Sequence, residues 1–424
     1  MKTFPVVFSL AFGSLKARRF TALLTIISIA TAVMLFGAVE NIRQSARTSF
    51  ERTLTGTDLI VGARSSAINL TLYTIFQIGD PTNNVTWETY EQIKERPDVA
   101  WTVPISLGDS HRGFRVIGTT DDYFKHYKYA DSRDLSLADG VVFDDLFDIV
   151  IGAQVARDLN YKVGTSLTLS HGLGGTSFSE HADKPFTVSG ILASTGTPVD
   201  RSVFVSLPAI EAIHAGWRSG TPTPASRLAT PDRLRRANLE PKEITALLLG
   251  ATSRARTLRI QRELNTYRAE PLQAVIPGIA LSQLWNMMSV AERALLIVST
   301  FVIGVGLIGI LTSILTSLNE RRREMAILRS VGARPRHIVT LLVSEAALFA
   351  FIGSALGIAI LYGASWGFRP LLEERFNIGA LSLTPGLFDV YIVCGVTLMA
   401  ALLGFIPAMI ALKRSLADGL SVRV

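Results

Sequence analysis

Cysteine is almost absent from this sequence. Among 424 residues only Cys394 is a cysteine, and it lies inside an apolar run. A single thiol excludes an intrachain disulfide and any metal centre built from several cysteines. The dipeptide Gly-Lys does not occur, so a phosphate loop of the Gly-Lys-Ser/Thr type is missing from these residues too. A His-Glu-x-x-His metalloprotease pattern is also missing. The sequence therefore lacks the usual signatures of nucleotide hydrolysis and of zinc proteolysis.

Charge is scarce as well, whereas apolar residues are abundant. Only 18% of the residues are charged and 48% are hydrophobic, and the mean hydropathy is +0.34. These values predict a few membrane spans joined to a large water-exposed domain. The net charge of +7 is concentrated beside the apolar runs, which indicates membrane topology and lipid contact. No basic patch alternates with aromatic residues, so we do not expect nucleic acid as a partner.

Four apolar runs are long enough to cross a bilayer. They are Ala22–Val39, Ala294–Leu318, Ile338–Phe368 and Val390–Leu412. The first run is long for a secretory signal and continues into a polar, helix-compatible segment, so we expect an uncleaved span that extends as a helical stalk. Residues 280–293 predict a second stalk before the second span. Residues 1–19 predict an amphipathic helix at the membrane interface or, alternatively, the first turns of a longer span.

Residues 55–279 have the character of a water-exposed α+β domain. Short runs typical of strands alternate with helical stretches and turns, and the segment is long enough to bury its own cores. The predicted helices are Trp87–Lys94, Ala153–Leu159, Pro208–His214 and Ser253–Arg268. The predicted strands are Thr57–Val61, Trp101–Leu107, Gly113–Gly118, Ile149–Ile151, Ser166–Leu169, Phe186–Leu192, Ser202–Ser206, Ile244–Leu249 and Leu272–Ile276. Arg218–Pro241 predicts a loop, either a solvated insertion or a contact with lipid headgroups or a partner.

The distribution of basic residues predicts the topology. Loops rich in lysine and arginine beside spans stay in the cytoplasm. Residues 319–337 carry six arginines against two glutamates, whereas residues 369–386 have no net charge. We therefore expect both termini inside and residues 55–279 outside. The expected order is an interfacial helix (1–19), first span and stalk (20–54), external domain (55–279), stalk and second span (280–318), basic loop (319–337), third span (338–368), short external loop (369–386), fourth span (387–412) and tail (413–424).

Three further features are candidates for function. Glu345 is a carboxyl at membrane depth, where ionisable residues usually act in function, although pairing with an arginine of the basic loop is an alternative. Gly353 and Gly357 form a small-xxx-small pair that favours either packing within the chain or dimerisation. His171 and His181 flank a Gly/Ser-rich loop and are weak metal candidates, the alternative being an exposed loop with incidental histidines.

The segment 320–333 carries a family resemblance. It reads E-R-R-R-E-M-A-I-L-R-S-V-G-A and is similar to the pattern E-R-R-x-E-[IM]-[GA]-[IL]-x-[RK]-x-[IVL]-G-A of the MacB/FtsX/LolC-type permeases of ABC transporters. Glu345 stands where that family often has a glutamate. The run V-I-G-T-T-D-D-Y-F at 116–124 and the segments Ile149–Leu169 and Phe186–Leu192 resemble its external strands. Some members fuse the ATPase to the permease, and these residues contain no such domain.

The resemblance implies a four-span helical bundle plus a MacB-like extracytoplasmic α+β domain on helical stalks, in the bacterial inner membrane. It implies that a separate cytoplasmic ABC ATPase, which binds ATP and Mg, docks on a short coupling helix in the basic loop. A second permease, identical or different, completes a dimer, and a periplasmic adaptor or lipoprotein is a further possible partner. The implied coupling residues are Glu320, Arg321, Arg322, Glu324, Met325, Ile327, Leu328, Arg329, Val331, Gly332, Ala333 and Arg336.

Two functions from different classes follow from the resemblance. The first is a permease that converts ATP hydrolysis into movement of its external domain, so as to export or extract a lipoprotein, lipid, peptide, drug or metal-related ligand. The second is an FtsX-like regulator that activates a periplasmic protein, such as a cell-wall hydrolase, and transports nothing. Neither of these two functions requires a catalytic site in this chain.

Overall fold

The computed structural model describes residues 19–130, 132–171, 184–218, 221–222, 229–320, 330, 332–376 and 385–417. The described residues form two compact units. The helical unit comprises the described residues of 19–45, 289–376 and 385–417, and the sheet unit comprises those of 46–288. The predicted interfacial helix falls almost entirely on residues 1–18, which lie outside the described ranges.

Four long helices dominate the helical unit: α1 (Arg19–Arg52), α9 (Pro277–Glu320), α10 (Pro335–Phe376) and α11 (Leu387–Ala417). All four are long and apolar enough to cross a membrane, and the apolar stretches are Phe20–Ser45, Pro277–Leu318, Pro335–Gly367 and Leu387–Lys413. Helix α1 continues without a break from its apolar stretch to Arg52, and α9 begins at Pro277, well before the uncharged run Ala294–Leu318. The division between the two units falls inside these two helices.

The described part of the sheet unit contains seven shorter helices. They are α2 (Ala67–Thr71), α3 (Trp87–Lys94), α4 (Asp122–His126), α5 (Ala153–Leu159), α6 (Leu207–His214), α7 (Pro231–Leu234) and α8 (Arg254–Asn265). A π-helical turn, Leu72–Phe76, follows α2. Capping residues fix the ends of several of these helices. The Thr86 hydroxyl accepts the Thr89 N–H at the start of α3, and Asn160, at φ 54°, ends α5 in the left-handed region.

The strands of the sheet unit are as follows. They are β1 (Leu59–Ala63), β2 (Val85–Thr86), β3 (Val99–His111), β4 (Phe114–Thr119), β5 (Lys128–Tyr129), β6 (Arg133–Asp134), β7 (Leu137–Gly140), β8 (Asp148–Ile151), β9 (Ser166–Leu167), β10 (Ser170–His171), β11 (Phe186–Leu192), β12 (Ser202–Ser206), β13 (Trp217–Arg218), β14 (Thr221–Pro222), β15 (Glu243–Ile244), β16 (Ala246–Ala251) and β17 (Leu272–Val275).

One mixed sheet organises the unit, in the order β17-β1-β16-β3-β4-β12-β8-β11-β7. Most neighbours are antiparallel, but β12 runs parallel to β4 and β11 runs parallel to β8. The thirteen-residue strand β3 pairs with β16 through its first half and with β4 through its second half, so it connects the two ends of the sheet. Three clusters of buried aliphatic and aromatic side chains cover the sheet.

The structure matches most of the predicted elements of this unit and corrects one. The helices at 87–94 and 153–159 have the predicted bounds, and each predicted strand has a counterpart within a few residues. The region Arg218–Pro241 is not all loop, because α7 and part of the strand pair β13–β14 lie within it. Pro231 sits in the first turn of α7, where its missing N–H costs nothing. Residues 219–220 and 223–228 are outside the described ranges.

Candidate functional site

The predicted coupling segment joins α9 to α10. Helix α9 ends at Glu320 and α10 begins at Pro335. Most of the segment lies outside the described residues, namely the predicted coupling residues Arg321, Arg322, Glu324, Met325, Ile327, Leu328, Arg329 and Val331. The structure describes its last part, from Gly332 to Arg336, and the backbone of Glu320.

The described part is a sharp turn that starts a helix. Gly332 has a φ of 95°, a conformation that favours glycine, and Pro335 occupies the first helical position of α10. The Arg334 N–H donates to Nδ1 of His337 over 3.0 Å, and the His337 N–H donates to the Arg334 carbonyl over 2.8 Å. A side chain three residues into the helix thus satisfies a free N–H before it, as in a capping box.

The first turn of α10 separates exposed basic residues from a packed apolar face. Arg334 and Arg336 are exposed, whereas Ile338 and Leu342 are buried in the core of the helical unit. Ala333 is half-buried. Side chains four residues apart lie on one helix face, so the buried pair fixes which way the turn presents its arginines. The described end of the segment therefore offers a basic, exposed surface on a rigid helix start.

Glu345 is buried. Only 4% of the residue is exposed, and it follows the packed face of Ile338 and Leu342 along α10. The adjacent Ala346 contacts α11 closely, since a Cβ built on Gly404 would lie 3.0 Å from the Ala346 Cβ. Glu345 thus lies on a helix that packs tightly against α11 at that level. Whether it pairs with an arginine of the basic loop stays a prediction.

Gly353 and Gly357 of α10 pack against α1 of the same chain. A Cβ added to Gly353 would lie 2.8 Å from the Ile29 Cβ, and one added to Gly357 would lie 2.5 Å from the Ala30 carbonyl oxygen. The helix backbones therefore approach more closely than any side chain at these positions would allow. Of the two uses that the sequence left open for this pair, the structure shows packing within the chain.

A charged triad joins α1 and α9, and no contiguous sequence pattern marks it. The Arg43 guanidinium donates from Nε and Nη2 to the two carboxylate oxygens of Glu40 over 2.9 and 2.6 Å. Its Nη1 donates to Glu292 of α9 over 3.4 Å. The sequence gives one hint of this contact, which is the position of the two glutamates: Glu40 directly follows the first apolar run, and Glu292 stands two residues before the second.

A second polar contact links three helices of the helical unit. The Tyr362 hydroxyl of α10 donates to Oδ2 of Asp389 over 2.6 Å, and the same oxygen accepts the Gly386 N–H over 2.8 Å at the start of α11. Tyr362 also hydrogen-bonds Asn41 of α1. Asp389 is buried, so these bonds satisfy a carboxylate that has little access to water.

The remaining sequence candidates carry no site in the described residues. His171 ends strand β10, where it is paired with Asp109 of β3, and His181 lies outside the described ranges. Within those ranges no three His, Cys, Asp or Glu side chains form a group that could hold a metal. The run Gly363-Ala364-Ser365-Trp366-Gly367, which was not a candidate above, has the spacing of the serine-hydrolase motif Gly-x-Ser-x-Gly, but it lies inside the continuous helix α10 and not at a strand-to-helix turn.

Two family models match the chain. The model of the MacB-like periplasmic core domain matches residues 20–264, more than half of the chain, and the FtsX-like permease C-terminal model matches residues 296–416. The chain belongs to the MacB/FtsX family of permeases. As a member of that family it is a membrane protein of the ABC transporter class with a large α+β periplasmic domain, and the family implies an ABC ATPase partner.

Individual relatives match over shorter stretches. The macrolide export ATP-binding/permease protein MacB of Chromobacterium violaceum is 34% identical over 127 residues, which are 30% of this chain and 19% of that protein. The uncharacterised ABC transporter permease YknZ of Bacillus subtilis is 32% identical over 111 residues, 26% of this chain and 25% of that one. The match thus spans a quarter or less of each relative's length.

Among solved structures, the periplasmic region of MacB from Actinobacillus actinomycetemcomitans is similar to this permease. The similarity covers 55% of this chain and 95% of that one, with 10% identity and a TM-score of 0.33.

Proposed function

We propose that this permease converts ATP hydrolysis by a cytoplasmic ABC ATPase into movement of its periplasmic domain, and so exports or extracts a substrate from the periplasm or the outer leaflet. The ATP and Mg are bound by the ATPase, since these 424 residues contain no phosphate loop. The substrate classes that fit are a lipoprotein, lipid, peptide, drug or metal-related ligand. Two permeases, identical or different, act together in this proposal.

The observation that carries the proposal is the length of the two helices that enter the sheet unit. Helix α1 has 34 residues and α9 has 44. At a rise of about 1.5 Å per residue they are roughly 51 and 66 Å long, whereas the hydrocarbon core is about 30 Å thick. A continuous helix is stiff, so a displacement of one end moves the other. Both helices therefore suit the transmission of force from the membrane to the domain.

The coupling segment lies at the other end of α9, where force from the ATPase would enter the helix. It follows α9 directly and precedes α10, and its described part presents exposed Arg334 and Arg336 on a helix start whose next turn is packed. Its basic charge favours the cytoplasmic side, where the ATPase acts. An ATPase bound here would push on α9 and α10 together. The spans offer few polar groups for a hydrophilic path, which favours mechanical action over passage of substrate between the helices.

Replacing Gly332 tests the assignment. A valine at φ 95° is strained by about 1–2 kcal/mol, so Gly332→Val should distort the turn that presents the basic residues. In the complex reconstituted with its ATPase, we expect normal membrane insertion and loss of the substrate-dependent rise in ATP hydrolysis. Gly363→Val is the matched control, because Gly363 lies in α10 with open space around it. If Gly332→Val retained the full rise in ATP hydrolysis, the coupling assignment would be wrong.

The same reconstitution separates transport from the FtsX-like regulatory function. A transporter shows ATP hydrolysis that rises with its substrate and shows displacement of that substrate from the membrane or periplasm. A regulator shows a tight periplasmic protein partner whose activity depends on ATP, with no substrate displaced. Tight binding of such a partner, with no displaced lipid, lipoprotein, peptide or drug, would overturn the transport proposal.

A further inference from the structure

We propose that Arg43, Glu40 and Glu292 form a latch that makes helices α1 and α9 move as one body during the ATP cycle. This inference rests on the proposed function, which it deepens by naming the residues that carry force to α1. They are positioning residues, because they act through the two helices and touch neither nucleotide nor substrate.

Connectivity shows why α1 needs such a contact. The coupling segment is joined covalently to α9 and to α10, but α1 is joined to neither end of it. Along the chain α1 is linked to α9 only through the sheet unit, so a displacement that begins at the segment reaches the apolar part of α1 directly only through contacts between helices. Gly353 and Gly357 of α10 pack near Ile29 and Ala30, and Gly306 of α9 lies beside Ala32. Tyr362 of α10 also hydrogen-bonds Asn41. The triad adds a charged contact between α1 and α9 at the end of the first apolar run.

The triad lies far from the coupling segment. Glu292 is 28 residues before the end of α9 at Glu320, or roughly 42 Å along the helix axis. Glu40 follows the first apolar run directly, and Glu292 stands just before the second. Beyond the triad both helices continue, α1 to Arg52 and α9 back to Pro277. The latch thus sits where both helices leave their apolar runs and continue toward the sheet unit.

The geometry suits a load-bearing contact. Arg43 binds Glu40 through two parallel hydrogen bonds, which fixes the plane of the guanidinium and directs Nη1 at Glu292. The three side chains are only 28%, 11% and 22% exposed for Arg43, Glu40 and Glu292. Partial burial weakens screening by water and salt, so this pair is stronger than a fully exposed one.

Arg43 makes one ion pair within α1 and one between α1 and α9, and substitutions can remove the second pair alone or both pairs. Glu292→Gln removes the charge pair between the helices and leaves the Arg43–Glu40 pair within α1 intact. Arg43→Gln removes both pairs and leaves two carboxylates facing each other. The double change Arg43→Glu with Glu292→Arg places a cation on α9 opposite two acids on α1 and restores the attraction. Arg293→Gln is the control, since Arg293 is the next residue of α9 and is exposed.

The test measures an ATP-dependent distance in the complete chain, reconstituted with its ATPase in lipid. Spin labels are placed on Arg254→Cys of the sheet unit and Leu398→Cys of α11, both exposed positions, in a Cys394→Ser background. The distance distribution is recorded without nucleotide and with ATP trapped by vanadate. Thermal unfolding and co-purification of the ATPase identify any variant that fails to fold or assemble, and the milder Glu292→Gln keeps the test valid if Arg43→Gln fails.

We expect a shift of the distance on trapping in the parent and in Arg293→Gln. Glu292→Gln and Arg43→Gln should lower the shifted fraction by about fivefold, the scale of one partly buried ion pair, and the charge swap should recover it. Full shifts in both single variants, or no recovery by the swap, would overturn the latch while the proposed function stands. No shift in the parent would overturn the proposed function itself, and the latch with it.

Discussion

The helical unit and the sheet unit of this permease are held together by different means. In the sheet unit large side chains are buried, such as Tyr73, Phe186 and Phe204. In the helical unit many large side chains are exposed, and glycines such as Gly353 and Gly357 make close contacts between helices. The two units also treat buried charge differently. Asp200 of the sheet unit accepts the N–H groups of Thr195 and Gly196 within one loop, whereas Asp389 of α11 accepts the hydroxyl of Tyr362 on α10.

The difference follows from the solvent that each unit displaces. Water drives apolar side chains of the sheet unit into cores, at about 25 cal/mol per Å² of buried apolar surface. Lipid tails are as apolar as leucine, so burial against lipid gains nothing, and helices associate through close packing and a few polar contacts. Large-residue truncation should therefore damage the sheet unit most, and the loss of a small residue should damage the helical unit most.

The largest expected effect is a truncation in the sheet unit. Phe204 is fully buried, with its ring 5.1 Å from that of Tyr123 and 5.5 Å from that of Phe124. Phe204→Ala should lower the free energy of unfolding of this unit by about 3–5 kcal/mol. Phe301→Ala in α9 is the control, because Phe301 is 72% exposed on a span. Thermal unfolding of the complete chain in detergent measures both, and equal losses would break the comparison.

A methyl group added to the helical unit should have the next largest effect. Gly357→Ala places a Cβ against the Ala30 carbonyl, so α1 and α10 must separate, at a cost of about 1–3 kcal/mol. Gly363→Ala, in open space on the same helix, should be neutral. Thermal unfolding in detergent again provides the measurement. A Gly357→Ala variant as stable as Gly363→Ala would show that close approach does not hold this pair of helices.

Sequence reasoning predicted elements that carry strong local signals. The four apolar runs predicted four long helices, and helix Trp87–Lys94 was found with its bounds because Thr86 caps it and apolar positions recur along it. Helices α2 and α4 were missed. Each has five residues, too few for a helical period to show, and tertiary packing of residues such as Leu70 and Tyr123 decides them.

The residues of the candidate site also fall into those that a local sequence pattern marks and those that only tertiary contacts bring together. Segment 320–333 could be found because its pattern is contiguous, whereas Arg43 and Glu292 are separated by 249 residues and nothing local marks their contact. Gly353 and Gly357 were visible as a pair, but their partner was not, because spacing shows which residues share a face and not what covers it. Contacts between distant helices required the structure.

Loss of one hydroxyl group in the helical unit is expected to have a smaller effect than the added methyl group. Tyr362→Phe removes the hydroxyl that bonds Asp389 and Asn41 while keeping the ring. The Gly386 N–H still binds the carboxylate, so the loss should be about 1 kcal/mol. Tyr391→Phe in α11, where the ring is exposed, serves as the control. A loss of several kcal/mol in Tyr362→Phe would show that polar contacts, more than close packing, hold the helical unit.

The smallest expected effect concerns an ion pair of the sheet unit and its dependence on pH. The Arg96 guanidinium binds Asp98 over 3.0 Å and Glu263 over 2.6 Å, and its hydrogen bonds hold the pKa of both carboxyls below their usual range. A carboxyl whose pKa is lower in the folded state contributes stability above its unfolded pKa and loses it as the pH falls through the folded pKa. Arg96→Gln should therefore cost less than about 1 kcal/mol at neutral pH, and the difference from the parent should vanish at acid pH below the folded pKa values. Thermal unfolding at pH 7 and at pH values below 4 measures the difference. A loss that stays constant with pH would mean that Arg96 stabilises the unit through the packing of its side chain and not through its charge. Arg96 would then stabilise the sheet unit in the way its buried apolar residues do, and not in the way the ion pairs of Arg43 stabilise the helical unit.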